Sequence, residues 1–511
     1  MSYRYDQRVG KHIYVYEIVG YWDKEKQQAR QHRVLIGKRD PESGEIITRS
    51  SRRLSREYGP VYFLWHILDQ LGVPALLQSA FVETSRAIIL SACFQVAEQR
   101  PLYLCDSWLE RIYLREPFRL PSAEMSRLLK DLGEDERGVK EFIEAWSSRQ
   151  ENTEFIVFDI TSISSYSQGV DFVEWGYNRG HEPLAQVNLG VVYGEPRELP
   201  LLYALYPGSV TDVKTLRNIV TTLATFKVPT TVFVLDKGFY SRKNLAAIDG
   251  MKFVIPVPMT NKELLSLIDR RRAELSLPEH AFRFDKQVLS AIEDTLEIGG
   301  RSYRALCYLN GQRSLDDRNQ LLSFLLEVEE YVQASSSQSV ALLAAELDEQ
   351  YPDWRRYLRI EERRGRAVIS REAQAITQRL ERAGIMVLIT NTNLSAEQTL
   401  EFYRKKDGVE KLFDSMKHGI DLHRLRIHSR TALKGLLFIN FISLILYAYL
   451  QRTLRTTGLG KQLTVNELFF ELKKLSVIEI GAKTPMVTEV TKKQRDIFKA
   501  FQIPLPSQAL L

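Results

Sequence analysis

The chain has 511 residues, 44% of them hydrophobic and 26% charged, with a formal net charge of +6. That balance excludes a disordered or fibrous protein and leaves room for several domains, each with its own core. The mild basic excess permits a polyanionic partner without requiring one. Three cysteines, Cys93, Cys105 and Cys307, lack metal-ligand spacing and fit buried thiols in a reducing compartment, so a cytoplasmic location is expected.

In chain order, residues 1–55 read as a small β-rich unit. Two aromatic and β-branched runs, 12–22 and 33–36, precede a short third, 45–48, after the turn Asp40-Pro41-Glu42-Ser43-Gly44. Lys26, Arg30, Arg33, Lys38 and Arg39 make this unit basic, which suits either a DNA contact or a solvated hairpin face. Residues 56–150 read as a helical domain with apolar runs at 61–68, 87–96, 109–114 and 128–146. Position alone makes it the expected DNA-binding domain.

Residues 151–260 alternate differently. Strands are predicted at 155–159, 186–193 and 199–206, then a helix capped by Thr211 or Asp212, a strand at 230–235, a helix from Ser241 and a strand at 253–257. A three-strand meander followed by alternating helix and strand is the order of a ribonuclease-H-like core, in which the first and fourth strands are neighbours. Residues 261–385 read as an inserted α+β subdomain, including the exposed serine run Ser335-Ser336-Ser337-Gln338-Ser339. The core resumes over 386–450. There Ser395 and Gln398 predict a capping box for a helix ending near Gly419. The apolar run 436–450 is shorter than a membrane span and contains Asn440 and Ser443, so it predicts a buried core helix and no membrane partner. Residues 451–511 read as a C-terminal helical region. The N-terminus has no apolar stretch of the kind a signal peptide needs.

Asp159 ends the apolar run Phe155-Ile156-Val157-Phe158, and Asp236 ends Val232-Phe233-Val234-Leu235. Carboxylates delivered where buried strands stop suit a site at a sheet edge. Divalent metals such as Mg²⁺ prefer carboxylate oxygens, and two such ions can activate a nucleophile and stabilise a leaving oxygen in phosphoryl transfer. A third acid, Glu410, lies on the helix that carries Tyr403, Lys406 and Lys417. At about 100° per residue these four share roughly 60° of arc. Phe402, Val409, Leu412, Phe413 and Met416 lie on the other side. An acid flanked by an aromatic ring and two cations suits a phosphate-rich ligand, as it also suits an amphipathic surface helix. Arg424 and Arg426 follow on a basic stretch.

The spacing Tyr403, Lys406, Glu410, Lys417 resembles the Tyr-Arg-Glu-Lys signature of a group of bacterial insertion-sequence transposases, with Lys at position 406 in place of Arg. Phe158-Asp159-Ile160-Thr161 and Leu235-Asp236-Lys237-Gly238-Phe239-Tyr240-Ser241 resemble that group's first and second catalytic segments. The resemblance implies a DDE transposase of the α/β class with a ribonuclease-H-like catalytic core, an inserted α+β subdomain, a small N-terminal β unit and flanking helical regions. It implies that Asp159, Asp236 and Glu410 hold Mg²⁺ or Mn²⁺, two ions in all, and that Tyr403, Lys406 and Lys417 contact transposon-end DNA, with Arg424 and Arg426 extending that track. It also implies a homodimer acting on double-stranded DNA. A metal-dependent nuclease on the same fold, and a transposase-derived DNA-binding protein without catalysis, remain open alternatives.

Overall fold

The computed structural model describes residues 2–23, 28–41, 43–48, 53–150, 153–167, 170–176, 183–210, 212–226, 232–335, 339–363, 366–419, 424–425, 427–480 and 484–507. Lys26, Glu42, Thr211, residues 230–231 and residues 336–338, on which some sequence expectations rest, lie outside them. The chain forms two compact units: Met1–Phe142 with Met416–Leu422 and Ile427–Leu511, and Ile143–Ser415 with His423–Arg426.

The first unit opens on β1 (Ser2–Val9), β2 (His12–Asp23), β3 (Gln28–Arg39) and β4 (Ile46–Thr48), an antiparallel sheet in sequential order. β1 was not expected as a strand. Its run is mostly polar, and Tyr3 and Tyr5 are exposed, so no buried period-2 pattern marks it. The Arg33 guanidinium lies over the Tyr5 and Tyr16 rings, so part of the basic excess stacks on the sheet's own aromatics. Next come β5 (Arg53–Glu57), α1 (Gly59–Leu71), α2 (Val73–Ala80), α3 (Ser85–Glu98), α4 (Cys105–Arg111), α5 (Ser122–Glu134) and α6 (Glu136–Ser148). The run 128–146, expected as one helix, is two. Asp135 breaks it, its Oδ1 accepting from Gly138 N at 2.8 Å and so starting a new helix.

The second unit begins within α6, where Trp146 Nε1 donates to Pro200 O at 2.8 Å. β6 (Phe155–Ser165), β7 (Gln186–Glu195) and β8 (Leu199–Pro207) form an antiparallel meander, with β6 and β7 buried throughout. α7 (Asp212–Thr225), β9 (Phe233–Leu235), α8 (Arg242–Ala247) and β10 (Phe253–Pro256) follow, and Ser241 Oγ caps α8 by accepting from Asn244 N at 3.1 Å. β9 runs parallel to both β6 and β10.

The intervening segment supplies α9 (Lys262–Leu275), β11 (Ala281–Phe284), β12 (Gln287–Ile298), β13 (Arg301–Asn310), α10 (Gly311–Ala334), α11 (Val340–Gln350), β14 (Leu358–Arg363), β15 (Arg366–Arg371) and α12 (Ala373–Glu381). β16 (Ile385–Thr390) returns to the sheet, α13 (Ala396–Gly419) follows, and β17 (Arg424–Leu425) closes the unit. The ten-stranded sheet has the order β11-β12-β13-β16-β10-β9-β6-β7-β8, with β17 also paired to β6. β11 to β13 therefore extend the main sheet, while α10, α11, β14, β15 and α12 enclose a local core around Leu325, Leu347, Trp354 and Leu358. The expected capping box opens α13: Ser395 Oγ accepts from Gln398 N at 3.1 Å and Gln398 Oε1 accepts from Ser395 N at 3.0 Å. α13 runs unbroken through Asp407-Gly408, a pair that favours turns elsewhere.

The rest of the chain rejoins the first unit as α14 (Arg430–Thr456), α15 (Val465–Leu472), β18 (Ser476–Ile480), β19 (Met486–Val487) and α16 (Lys492–Ala500). The expectation of helix throughout is corrected here. Val477 and Ile478 sit in a β-branched run that pairs β18 between β5 and β19. Full capping boxes, Thr464 with Glu467 and Thr491 with Gln494, start α15 and α16. By length and composition α14 is apolar enough to cross a membrane, yet 83% of its most apolar window is buried. Its polar residues are bonded to α3: Gln95 Nε2 donates to Asn440 Oδ1 at 2.6 Å, and Ser443 Oγ donates to Gln95 Oε1 at 2.8 Å. α5 packs closely against it. A Cβ on Gly435 would meet Leu129 O at 1.9 Å, and one on Gly133 would meet Thr431 O at 1.8 Å. Only glycine allows that backbone approach.

Candidate active site

The site rests on the pairing of β6 with β9. Phe158 and Leu235 are the last register partners of these parallel strands, so Asp159 and Asp236 each come one residue later. Neighbouring strands lie about 5 Å apart. Side chains alternate along a strand, and Asp236 keeps an extended backbone, so both carboxylates are placed on the same sheet face. One expectation needs correcting: β6 does not stop at Asp159 but continues to Ser165. The partner strand is what stops. β9 ends at Leu235, and the same edge of β6 is next paired by β17, at Ser164 and Ser165. Asp159 thus sits mid-strand at the opening of a gap in the ladder. It is 3% exposed, and its Oδ1 accepts from Ile160 N at 2.8 Å. Asp236 starts a tight turn in which its carbonyl accepts from Phe239 N at 3.0 Å. Tyr240, next along, stays protonated: burial pushes its phenol above the ordinary range, and the charge of Glu263 adds to the effect.

α13 lies against this face. Phe402 stacks on Phe155 with ring centroids 4.2 Å apart, and one turn later Lys406 Nζ reaches Asp236 Oδ1 at 3.3 Å. Lys406 is only 4% exposed, although the helical wheel places it on the outward, ligand-facing side. The reason is its spacing: four residues after Phe402 is the neighbouring position on the same side, so packing Phe402 inward carries Lys406 inward too. Burying an ammonium is costly unless a charge compensates it, and Asp236 supplies that charge. Lys405, absent from the sequence reading, lies over the Phe155 ring at 5.4 Å and pairs with Glu401 at 3.4 Å. Its cation–aromatic contact depends on the fold and leaves no signal in local sequence.

The other predicted residues are placed as follows. Tyr403 is half-buried on α13. Glu410 and Lys417 belong to α13, Glu410 one turn beyond Lys406, but their side chains lie outside the described residues. Arg424 is a backbone partner of Ser164 in β17, its side chain likewise outside, and Arg426 lies wholly outside the described residues. Among the described residues no three His, Cys, Asp or Glu side chains cluster to hold a metal. The carboxylates of Asp159 and Asp236, one residue past a shared register pair on neighbouring strands, have the chemistry of partial ligands for Mg²⁺. They are hard oxygen donors on neighbouring strands, Asp236 already pairs with one cation, and Mg²⁺ retains several waters.

With this geometry in place, the comparisons decide the family. The sequence family described as "Transposase DDE domain" matches residues 150–446. The chain belongs to that family of transposases. The match takes in β6, β9, α13 and the first part of α14. No curated protein sequence matches this transposase. Among solved structures, a piggyBac transposase in a synaptic complex with hairpin DNA is similar at 10% identity and a TM-score of 0.35, over 80% of this chain and 70% of that one.

Proposed function

We propose that this transposase cuts DNA at the ends of its own element and joins the freed 3′-hydroxyl to target DNA, on a ribonuclease-H-like core with Asp159, Asp236 and Glu410 as its acidic triad. The observation that carries the reading is the register of β6 and β9, which places Asp159 and Asp236 side by side on the face that α13 covers. The sheet order β8-β7-β6-β9-β10, antiparallel through the first three and parallel through the last three, supports the choice of core. Asp159 and Asp236 would hold divalent metal, Mg²⁺ or Mn²⁺, with Glu410 one turn past Lys406 completing the set. When bound, two such ions supply Lewis-acid stabilisation and an activated nucleophile. Tyr403, Lys417, Arg424 and Arg426 would orient the DNA backbone, the kind of phosphate contact that positions a duplex without reading its sequence. A homodimer would hold the two ends together, and the enzyme would work in the cytoplasm on chromosomal DNA.

The test uses duplexes carrying the sequences that flank the protein's own gene, incubated with the full chain and Mg²⁺, and pre-cut ends with a supercoiled target. Cleavage and joining together support the reading. Cleavage without joining of pre-cut ends makes the protein a nuclease. Metal-independent binding with no cleavage makes it a DNA-binding protein of transposase descent.

A further inference from the structure

Lys406 has a role that a DNA contact does not explain. Its ammonium is buried, and it points at a carboxylate from the sheet face where Asp159 and Asp236 sit together. The Asp236 side chain is 25% exposed whereas that of Lys406 is 5% exposed, so a hydrated cation can approach Asp236 from solvent while Lys406 approaches it from within the fold. The 3.3 Å separation is longer than the about 2.7–2.9 Å of a tight charge-assisted hydrogen bond, so this contact is an ion pair without a short hydrogen bond. A lysine is a point charge on a four-carbon stem. It lacks the two-pronged grip by which arginine would lock a carboxylate, so it can let go.

We propose that Lys406 is the resident counter-cation of the carboxylate pair, neutralising Asp236 in the free protein, and that a divalent ion must displace it to take that oxygen. The inference rests on the metal-binding reading of Asp159 and Asp236. It adds that metal affinity is held down by the chain itself until the ammonium has somewhere better to go, such as the phosphate of bound DNA. Two consequences follow from electrostatics. Without Lys406 the site is more negative and attracts a divalent cation more strongly, and the buried positive charge no longer repels the incoming ion.

The experiment measures Mn²⁺ binding to the full-length protein without DNA, by electron paramagnetic resonance of free Mn²⁺, for the wild type, Lys406→Met, Lys406→Gln, Lys406→Arg and Asp236→Asn. Thermal melts check folding. The expected result is that Asp236→Asn loses the site, Lys406→Met binds Mn²⁺ on the order of tenfold more tightly, and Lys406→Arg stays near or below wild type. Lys406→Gln should also bind more tightly, and it carries the test if the methionine variant fails to fold. If Asp236→Asn loses binding but removing the charge at 406 leaves affinity unchanged or weaker, the inference falls and the metal site stands. If Asp236→Asn binds Mn²⁺ like wild type, the metal site falls and the inference with it.

Discussion

Two polar clusters, one in each unit, are built on opposite principles. In the first unit, Gln95, Asn440 and Ser443 are neutral, and hydrogen bonds link them between α3 and α14. In the second, Asp159, Asp236 and Lys406 are ionisable side chains, and the Lys406 ammonium pairs with Asp236 while Asp159 lies on the neighbouring strand. Neutral amides and hydroxyls that bond one another let a helix as apolar as α14 carry polar groups at a reduced cost, although Asn440 Nδ2 is buried without a hydrogen-bond partner among the described residues. Carboxylates crowded on one sheet face repel each other, and nothing about folding requires them. The first cluster is therefore compatible with stability, whereas the second gives the fold no such return, which is the contrast the proposed metal-binding role would account for.

The largest expected effect breaks the comparison on the charged side. Asp159→Ala should lower Mg²⁺-dependent end cleavage on the order of 10³-fold, and chelating the metal should abolish it. Asp159→Asn should meanwhile leave the melting temperature unchanged or raise it, because it removes a buried carboxylate that sits beside a second, part-exposed one. A marked fall in melting temperature with Asp159→Asn would place this carboxylate among the groups that hold the fold.

On the neutral side the largest effect belongs to the helix contact beside the cluster. Gly435→Ala puts a methyl 1.9 Å from Leu129 O, so α5 and α14 must separate. Overpacking of this kind costs about 1–3 kcal/mol, and here the upper end is expected because the obstacle is backbone rather than a flexible side chain. Denaturant titration reads the loss directly. Asn440→Leu comes next. It leaves Gln95 Nε2 buried without its acceptor, a loss of about 1–3 kcal/mol. Replacing Gln95 and Asn440 together by leucine should recover most of that. Ser443 Oγ keeps its 3.1 Å bond to Ile439 O, so no donor is orphaned. If the double variant is as unstable as the single, the cluster is held by shape rather than by hydrogen bonding.

The parts of the fold that sequence reveals are those buried on both faces or closed by local chemistry. β6, β7, β9 and β10 announce themselves as apolar runs, and the caps at Ser395, Thr464 and Thr491 are formed by residues three apart. β1 does not, because its side chains are largely exposed. The far half of β6 does not either, because Thr161, Ser162, Ser164 and Ser165 read as loop residues though the sheet buries them. Within the site, each aspartate is legible at the end of its apolar run. Their adjacency depends on register, and register is a property of two strands distant in sequence. The inward turn of Lys406 is the hardest to foresee. A helical wheel counts lysine as a solvent residue and has no means of knowing that Asp236 waits on the sheet below.

The smallest effect tests α13 itself, and it reverses the sign seen at Gly435. Gly408 lies mid-helix, and a Cβ there would meet nothing within 4 Å. Glycine in a helix interior is less favourable than alanine by about 0.8–1.0 kcal/mol, so Gly408→Ala should stabilise by up to that amount, a gain of a few degrees or less in melting temperature. The same substitution, glycine to alanine, would then destabilise at 435 and stabilise at 408, with the space around the new methyl as the whole difference. Helix continuity past Lys406 is also what puts Glu410 one turn beyond it, so the outcome bears on the site. A loss of stability at 408 would mean that the chain bends at Asp407-Gly408, and Glu410 would then no longer follow Lys406 along one stripe.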